Sequence, residues 1–368
     1  MKYPQRMNGY SDTRTYFHID ALHAWKAGKN FPPVIVEIDP TNRCIQKCRY
    51  CYNNSRVGKG ELDGELLVGL PKQLADAGVK SILFQGSGEP LMHKALPKTI
   101  INGAQHGLNM TLTTSGVLLT PELQHHILPN IFYLRLSVLE SDPKRYGFLH
   151  GVVDEQWHKL IGNIEYAADY RKKHNLPITL LASVYLEEIN FDYAYSIVKF
   201  YKEMGLDYII VQEAVYGDYS PSGDRAYPSD SFSPERIAEM GDLVLSLNDD
   251  DFAVKWHFPV NLDYLQSGMY KNTFARNFCQ GIKFSTVIEA DGNVIPCWRA
   301  WGKPELSYGN LYEQSFSEIW NGQQRQDIIE FIMTTPPKGY ECDVCNNRKN
   351  NVLLDKLNNP TKWKDFLI

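Results

Sequence analysis

The chain has 368 residues, of which 43% are hydrophobic and 22% are charged, and its net charge is −5. This composition is typical of a globular protein without a broad basic field, so we expect neither nucleic acid nor an anionic membrane as a partner. The first residues lack an apolar signal region, and no stretch approaches the ~18 apolar residues of a membrane span, so we expect a cytoplasmic protein.

Short apolar runs alternate with longer amphipathic segments along most of the chain, and the runs predict strands where the segments predict helices. Six strands are predicted at 34–38, 80–85, 108–114, 132–138, 178–186 and 207–214. A loop rich in Gly, Pro, Ser and Asp follows at 216–231, and a further strand is predicted at 252–258. Alternation of strands and helices is typical of a parallel sheet with right-handed crossovers, open or barrel-shaped.

Three cysteines lie directly after the first predicted strand, in the segment CIQKCRYC: Cys44, Cys48 and Cys51. In a reducing compartment, clustered cysteines are more often metal ligands than disulfides. One interpretation is a zinc loop that takes a fourth ligand from elsewhere. The other is an iron–sulfur cubane in which three thiolates hold three irons and the fourth iron has no protein ligand. The CxxxCxxC spacing, with the aromatic Tyr50 before the third cysteine, favours the cubane.

This cysteine pattern on the loop after strand one resembles the signature of the radical S-adenosylmethionine (SAM) superfamily. The resemblance implies a partial (β/α)6 TIM-like barrel and a [4Fe–4S] cluster whose open iron is chelated by SAM. It also implies reductive cleavage of SAM to a 5′-deoxyadenosyl radical that abstracts hydrogen from the substrate. An electron donor such as flavodoxin or ferredoxin is a further implied partner.

Two later segments strengthen the resemblance. GSGEP (86–90), at the end of strand two, resembles the GGEP segment of that family, and TTSG (113–116) resembles its TNG-type segment. Each motif alone is also an ordinary turn, and each serine at a strand end is also an ordinary turn former. The SAM contacts that the resemblance implies are Tyr50, Gly86, Gly88, Glu89, Thr114, Ser115, Ser137, Ser183 and Val211.

The other four cysteines form a second group. Cys279 and Cys297 flank two apolar runs joined by an Asp-Gly turn, which predicts a β-hairpin that brings them together. Cys342 and Cys345 form a CxxC pair. Four such cysteines fit a zinc ribbon as well as a closed iron–sulfur site. The region resembles the SPASM domain of radical SAM proteins, or its shorter twitch form, which implies an auxiliary [4Fe–4S] cluster held by all four.

These features predict an N-terminal extension (1–33), a radical SAM partial barrel (34–270), a small β-hairpin/helix domain for the auxiliary cluster (271–350) and a C-terminal tail (351–368).

The function is predicted from cysteine usage and chain layout. Three plus four ligands use all seven cysteines, so no thiol remains to return a hydrogen atom, as radical epimerases generally require. Only 33 residues precede strand one, too few for the recognition domain with which peptide-modifying members often begin.

We therefore expect a dehydrogenase or dehydratase of a hydroxylated small molecule, namely a sugar, nucleotide sugar or aminocyclitol. A peptide-maturation enzyme, an epimerase and, more distantly, a zinc-binding interaction protein remain alternatives. The candidate catalytic residues are Glu213 as a base, Tyr216 as a cover over the substrate, and Arg299 as a ligand of hydroxyls or phosphate.

Overall fold

The computed structural model describes residues 14–51, 58, 60–214, 231–258, 279–334 and 347–358. A ten-stranded sheet forms its centre, in the order β10-β9-β8-β1-β2-β3-β4-β5-β6-β7. The strands are β1 (Ile35–Ile38), β2 (Ser81–Phe84), β3 (Asn109–Thr114), β4 (Tyr133–Ser137), β5 (Thr179–Leu186), β6 (Tyr208–Glu213), β7 (Ala253–His257), β8 (Ser285–Ile288), β9 (Asn293–Ile295) and β10 (Gly309–Asn310).

Strands β1 to β7 run parallel in chain order, which is the arrangement of a partial TIM-like barrel. Strand β8 pairs in parallel with β1, and β9 and β10 continue that edge as antiparallel strands. The described strand order begins at β10 and ends at β7, so this part of the sheet is open at both edges.

Eleven α-helices are found in the described ranges. They are α1 (Ile19–Lys26), α2 (Gly64–Asp76), α3 (Leu96–Gln105), α4 (Pro121–Ile127), α5 (Pro143–His150), α6 (Asp154–Lys173), α7 (Ala194–Glu203), α8 (Pro234–Leu245), α9 (Phe316–Asn321), α10 (Gln323–Thr334) and α11 (Arg348–Asn358). Several begin at residues whose side chains accept backbone N–H bonds, for example Asp63 before α2 and Asp142 before α5. None of these helices is long and apolar enough to cross a membrane.

The two faces of the sheet differ in chemistry. One face packs against the helices and carries apolar residues such as Val36, Ile82 and Leu134, all fully buried. The opposite face lines the barrel interior. Near the amino ends of β5 and β6 it is closed by apolar side chains that include Leu181 and Tyr208. Further along the strands the same face carries polar side chains, such as Arg135 on β4 and Ser183 on β5. The interior is therefore polar towards the carboxyl ends.

The predicted fold class is confirmed, and all six predicted barrel strands are found. The further strand predicted at 252–258 is also found, as β7. The sheet is larger than the six-stranded barrel that was predicted, because β7 pairs in parallel with β6 and the C-terminal hairpin joins the edge of β1. The predicted domain boundary near residue 270 lies outside the described residues and stays a prediction.

The described part of the N-terminal extension packs against the C-terminal region. Trp25 of α1 shares a small apolar cluster with Phe31, Phe284 and Leu354. Its indole Nε1 donates a hydrogen bond of 2.8 Å to Gln280 Oε1, next to Cys279. Residues 14–33 therefore support the segment in which the second cysteine group begins.

Candidate active site

The first cysteine group lies on the loop that leaves the carboxyl end of β1. Cys44, Cys48 and Cys51 are partly buried, and none of the five cysteines in the described part of the chain forms a disulfide bond. The loop is held to the end of α5: Lys47 N donates to His150 O at 2.9 Å, and Arg49 N donates to Leu149 O at 3.0 Å. Backbone hydrogen bonds thus fix the loop independently of any ligand.

The electrostatics of these thiols fit a cationic cluster. Burial is the main cause that raises the pKa of Cys44 to about 11; the backbone hydrogen bond from Gln46 opposes the rise, and Glu89 and Cys51 contribute to it. Burial also raises the pKa of Cys48, with added repulsion from Cys51 and Cys44. The three thiols are therefore near neighbours that would not ionise together without a compensating positive charge, which iron supplies.

Within the described ranges, no three His, Cys, Asp or Glu side chains are arranged to hold a single metal ion. A cubane has a different requirement, since each thiolate binds its own iron.

The GSGEP segment after β2 packs directly on the backbone that leads into the cysteine loop. A Cβ on Gly88 would lie 2.3 Å from Arg43 O and 2.4 Å from Thr41 O, and a Cβ on Gly86 would lie 2.0 Å from Asp39 Oδ1. Both glycines are thus required by contact within the protein itself. The SAM contacts that the resemblance implies for Gly86 and Gly88 stay a prediction.

Glu89 joins the ends of β2 and β3. Its Oε1 accepts from Thr114 Oγ1 at 2.5 Å and from Leu91 N at 3.1 Å, while Oε2 accepts from Ser115 N at 2.7 Å. A carboxylate offers about four acceptor positions, so capacity for one more donor remains. The structure therefore brings together three predicted SAM contacts, Glu89, Thr114 and Ser115, around one carboxylate.

A buried polar cluster lies under the same loops. Asn42 Nδ2 donates to Asp39 Oδ2 at 2.9 Å and also to the hydroxyl of Ser87, which donates to Asp39 Oδ2 at 2.5 Å. Ser87 is the residue that departs from the GGEP pattern. Its hydroxyl explains the departure, because it connects the GSGEP segment to the entry of the cysteine loop.

A carboxylate that sequence reasoning missed lies on the interior face of β1. Glu37 Oε2 accepts hydrogen bonds from Gln85 Nε2, just after β2, and from the indole Nε1 of Trp298, just after Cys297. Burial raises the pKa of Glu37, and the two hydrogen bonds and the nearby Arg135 oppose that rise. The alternation within VIVEI was the available signal, since it places Glu37 on the face of β1 that does not carry Val36 and Ile38.

A second group of interior side chains lies on β4 and β5. Ser137 and Ser183 are register partners on these strands. Both can therefore face the same ligand, as two SAM contacts would. Arg135 Nε donates to Ser183 Oγ at 2.6 Å, and Arg135 Nη2 lies 3.5 Å from Tyr185 Oη. The Tyr185 ring stacks on Tyr50 of the cysteine loop, with centroids 5.3 Å apart.

The expected roles of Val211 and Glu213 need correction. Val211 is fully buried in the main core, on the face of the sheet that packs against the helices. Glu213 is two residues further along β6 and therefore shares that face, where it is 8% exposed. Gln212 has the interior position instead. The segment YIIVQE hides this assignment, because its consecutive apolar residues show no alternation. Tyr216 lies outside the described residues.

Cys279 and Cys297 lie on either side of the β8–β9 hairpin, as the sequence predicted. Both are partly buried, and both influence the same side chain: burial raises the pKa of Tyr308, Arg325 opposes the rise, and Cys297 and Cys279 add to it. Asn351 Nδ2 lies 3.6 Å from Cys279 Sγ. Cys342 and Cys345 lie outside the described residues, and Arg299 is partly buried in the short helix after Cys297.

Two family models match the chain. The model of the radical SAM superfamily matches residues 38–209, and the model of the SPASM iron–sulfur cluster-binding domain matches residues 279–347. These matches confirm the predicted family, the SAM-binding [4Fe–4S] cluster and the auxiliary cluster domain.

Curated relatives are named PqqA peptide cyclase. The protein from Xanthomonas campestris pv. campestris is 28% identical over 296 residues, which covers 79% of this chain and 74% of the relative. The protein from Granulibacter bethesdensis is 24% identical over 298 residues, with the same coverage.

Solved structures share the fold. Streptococcus suis SuiB bound to S-adenosylmethionine has a TM-score of 0.64 at 15% identity, and the match covers 84% of this chain and 70% of SuiB. The protein anSMEcpe with bound AdoMet and Cp18Cys peptide has a TM-score of 0.58 at 18% identity, covering 87% of this chain and 90% of that protein.

The expectation of a small-molecule dehydrogenase or dehydratase was wrong. The curated relatives, which align with most of the chain, are peptide cyclases by name. The physical reason for the error is that cysteine counting describes the clusters and not the substrate. A count of seven is compatible with either substrate class.

Proposed function

The chain belongs to the radical SAM superfamily and carries a C-terminal SPASM domain, and we propose that it modifies a peptide substrate. The observation that carries this proposal is the 28% identity to PqqA peptide cyclase over 79% of the chain. This likeness favours a product in which a new intramolecular bond links two positions of a short peptide.

The open sheet supports a peptide substrate on physical grounds. In barrel enzymes the chemistry takes place at the carboxyl ends of the strands, and here the first cysteine group follows the carboxyl end of β1. The described sheet does not close between β10 and β7. An extended peptide substrate can enter a barrel that is open in this way.

Each group of interior residues has a proposed role. Cys44, Cys48 and Cys51 would hold three irons of the SAM-binding cluster, and Glu89 would accept the ammonium group of SAM in its remaining acceptor position. Ser137 and Ser183 would face the ribose and carboxylate groups. With cluster and SAM bound, the site supplies one-electron chemistry that removes a hydrogen atom from the substrate.

The second cysteine group would hold the auxiliary cluster through Cys279, Cys297, Cys342 and Cys345. Arg299 lies two residues after Cys297 and would contact the peptide substrate. The electron that starts turnover would come from a small redox protein such as a flavodoxin or ferredoxin.

The test is substrate conversion under anaerobic conditions. Reconstituted protein is incubated with SAM, dithionite and short synthetic peptides that correspond to reading frames beside its gene, and peptide masses are measured. We expect one peptide to lose the mass of a pair of hydrogen atoms, because forming one new internal bond replaces two bonds to hydrogen. Tandem mass spectrometry then locates the bond.

The controls separate substrate class from loss of chemistry. A parallel set of sugars and aminocyclitols should remain unchanged while 5′-deoxyadenosine forms with the peptide. A protein with Cys44, Cys48 and Cys51 all changed to Ala should leave the peptide intact. Conversion of a sugar, with every peptide unchanged, would contradict the proposal.

A further inference from the structure

The contact between Trp298 and Glu37 joins two regions that are far apart in the chain. The residues are separated by 261 positions. Trp298 directly follows Cys297, and Glu37 lies on the interior face of β1. The side chain of Trp298 therefore connects the cysteine-bearing end of the C-terminal hairpin to the inside of the barrel.

The geometry around Glu37 makes this contact a strong one. Its Oε2 accepts from both Trp298 Nε1 and Gln85 Nε2, so β1, the end of β2 and the segment after Cys297 meet at one carboxylate oxygen. A buried carboxyl oxygen that lost its donors would be left unsatisfied, at a cost in free energy. Glu37 and Trp298 are both partly buried, so water competes weakly for the bond.

The hairpin itself is attached to the barrel along one line. Strand β8 pairs with β1 from Ile35↔Ser285 to Ile38↔Ile288. Strand β9 has only three residues and pairs with β8 and β10, so its register does not reach the barrel directly. A tether at Trp298 fixes the far end of the hairpin, where Cys297 lies.

Neighbouring rings restrict Trp298 further. Trp301 packs edge-on against it with centroids 4.6 Å apart. Ala300 N donates to Cys297 O at 2.9 Å, which closes the short helical turn that carries both residues. The orientation of the indole and the position of Cys297 are thus coupled through one rigid turn.

We propose that Trp298 is a positioning residue whose hydrogen bond to Glu37 sets the position of Cys297, and with it the auxiliary cluster, relative to the barrel interior. The proposal rests on the assignment of Cys297 as a cluster ligand. It does not depend on which substrate is converted, because its readouts do not require turnover.

The first experiment uses metal-free, full-length protein and measures hydrogen exchange of the peptides that cover residues 285–301. Trp298→Phe keeps an aromatic ring and removes the donor, and Glu37→Gln keeps the shape and removes the charge. Loss of this hydrogen bond predicts about tenfold faster exchange around Cys297 in Trp298→Phe. The pairing segment 35–38 should keep its protection.

Trp320→Phe is the matched control. The indole Nε1 of Trp320 donates at 2.7 Å to the backbone carbonyl of Phe31. Its loss removes a buried indole hydrogen bond of similar kind. We expect this variant to leave exchange around Cys297 within about twofold of the parent, because the phenylalanine ring keeps the contact with Tyr308 and the lost hydrogen bond does not join the segment after Cys297 to β1.

The second experiment measures the electron paramagnetic resonance spectrum and midpoint potential of each cluster in reconstituted protein without substrate. We expect both Trp298→Phe and Glu37→Gln to change the auxiliary-cluster signal and to leave the SAM-binding cluster unchanged. In the double variant the two effects should not add, because both changes act on the same hydrogen bond. Unchanged exchange and an unchanged auxiliary signal in Trp298→Phe would overturn the proposal, as would fully additive effects.

Discussion

Gly88 provides a direct test of how the GSGEP segment and the cysteine loop are joined. The change Gly88→Ala adds one methyl group, which would lie 2.3 Å from Arg43 O, 2.4 Å from Thr41 O and 2.7 Å from Asn42 C. Ordinary carbon contacts are ≈ 3.5–4.0 Å. All three neighbours are backbone atoms, so no side chain can rotate away and the loop itself has to move.

The cost follows from what that movement disrupts. Overpacking of a filled site costs roughly 1–3 kcal/mol. The loop also carries the hydrogen bond from Glu89 N to Arg43 O, 2.8 Å long, whose loss adds about 1 kcal/mol. We therefore expect Gly88→Ala to lower the free energy of unfolding by about 2–4 kcal/mol.

Urea denaturation of the metal-free protein measures this effect, and iron content after anaerobic reconstitution reports on the loop. Gly69→Ala is the matched control, because Gly69 lies in α2 with open space where the methyl group would go. Alanine there should raise stability by roughly 0.5–1 kcal/mol. If Gly88→Ala were as stable as the parent and bound the same amount of iron, the close approach of the two loops would be refuted.

Three further predictions concern the candidate site. Changing all three loop cysteines to Ala should abolish 5′-deoxyadenosine formation and lower iron from about eight to about four per chain; retained SAM cleavage would remove these cysteines from the active cluster. Glu89→Gln should lower the free energy of unfolding by roughly 1.5–3 kcal/mol in urea, because three donors lose a charged acceptor, and an unchanged midpoint would count against that network. Burial raises the pKa of Glu37 above 4.5, so its contribution to stability is complete below pH 4.5 and is lost as the pH rises through the pKa in the folded protein. The unfolding free energy of metal-free Glu37→Gln should therefore decline less than that of the parent above pH 4.5, and equal slopes would show that Glu37 does not titrate in this way.

The amino-acid sequence by itself determined the strands, the hairpin and the two cysteine groups. These are local features, since apolar runs of five to nine residues, an Asp-Gly turn and the CxxxCxxC spacing are each readable within a short window. The sequence also indicated the family. It did not indicate the substrate class, because the residues that hold clusters are independent of what the radical attacks.

Only the tertiary structure decided which side chains face the barrel interior. In β6 the residues on both faces of the strand are apolar. The sequence therefore does not show whether Gln212 or Glu213 faces the barrel interior, and only the pairing of the strand decides it. The Trp298–Glu37 contact spans 261 positions, and no local pattern relates the two residues. Gly88 reads as a turn residue in sequence, whereas its real constraint is the backbone of another loop. Contacts between distant segments depend on strand register and packing, which exist only once the sheet has formed.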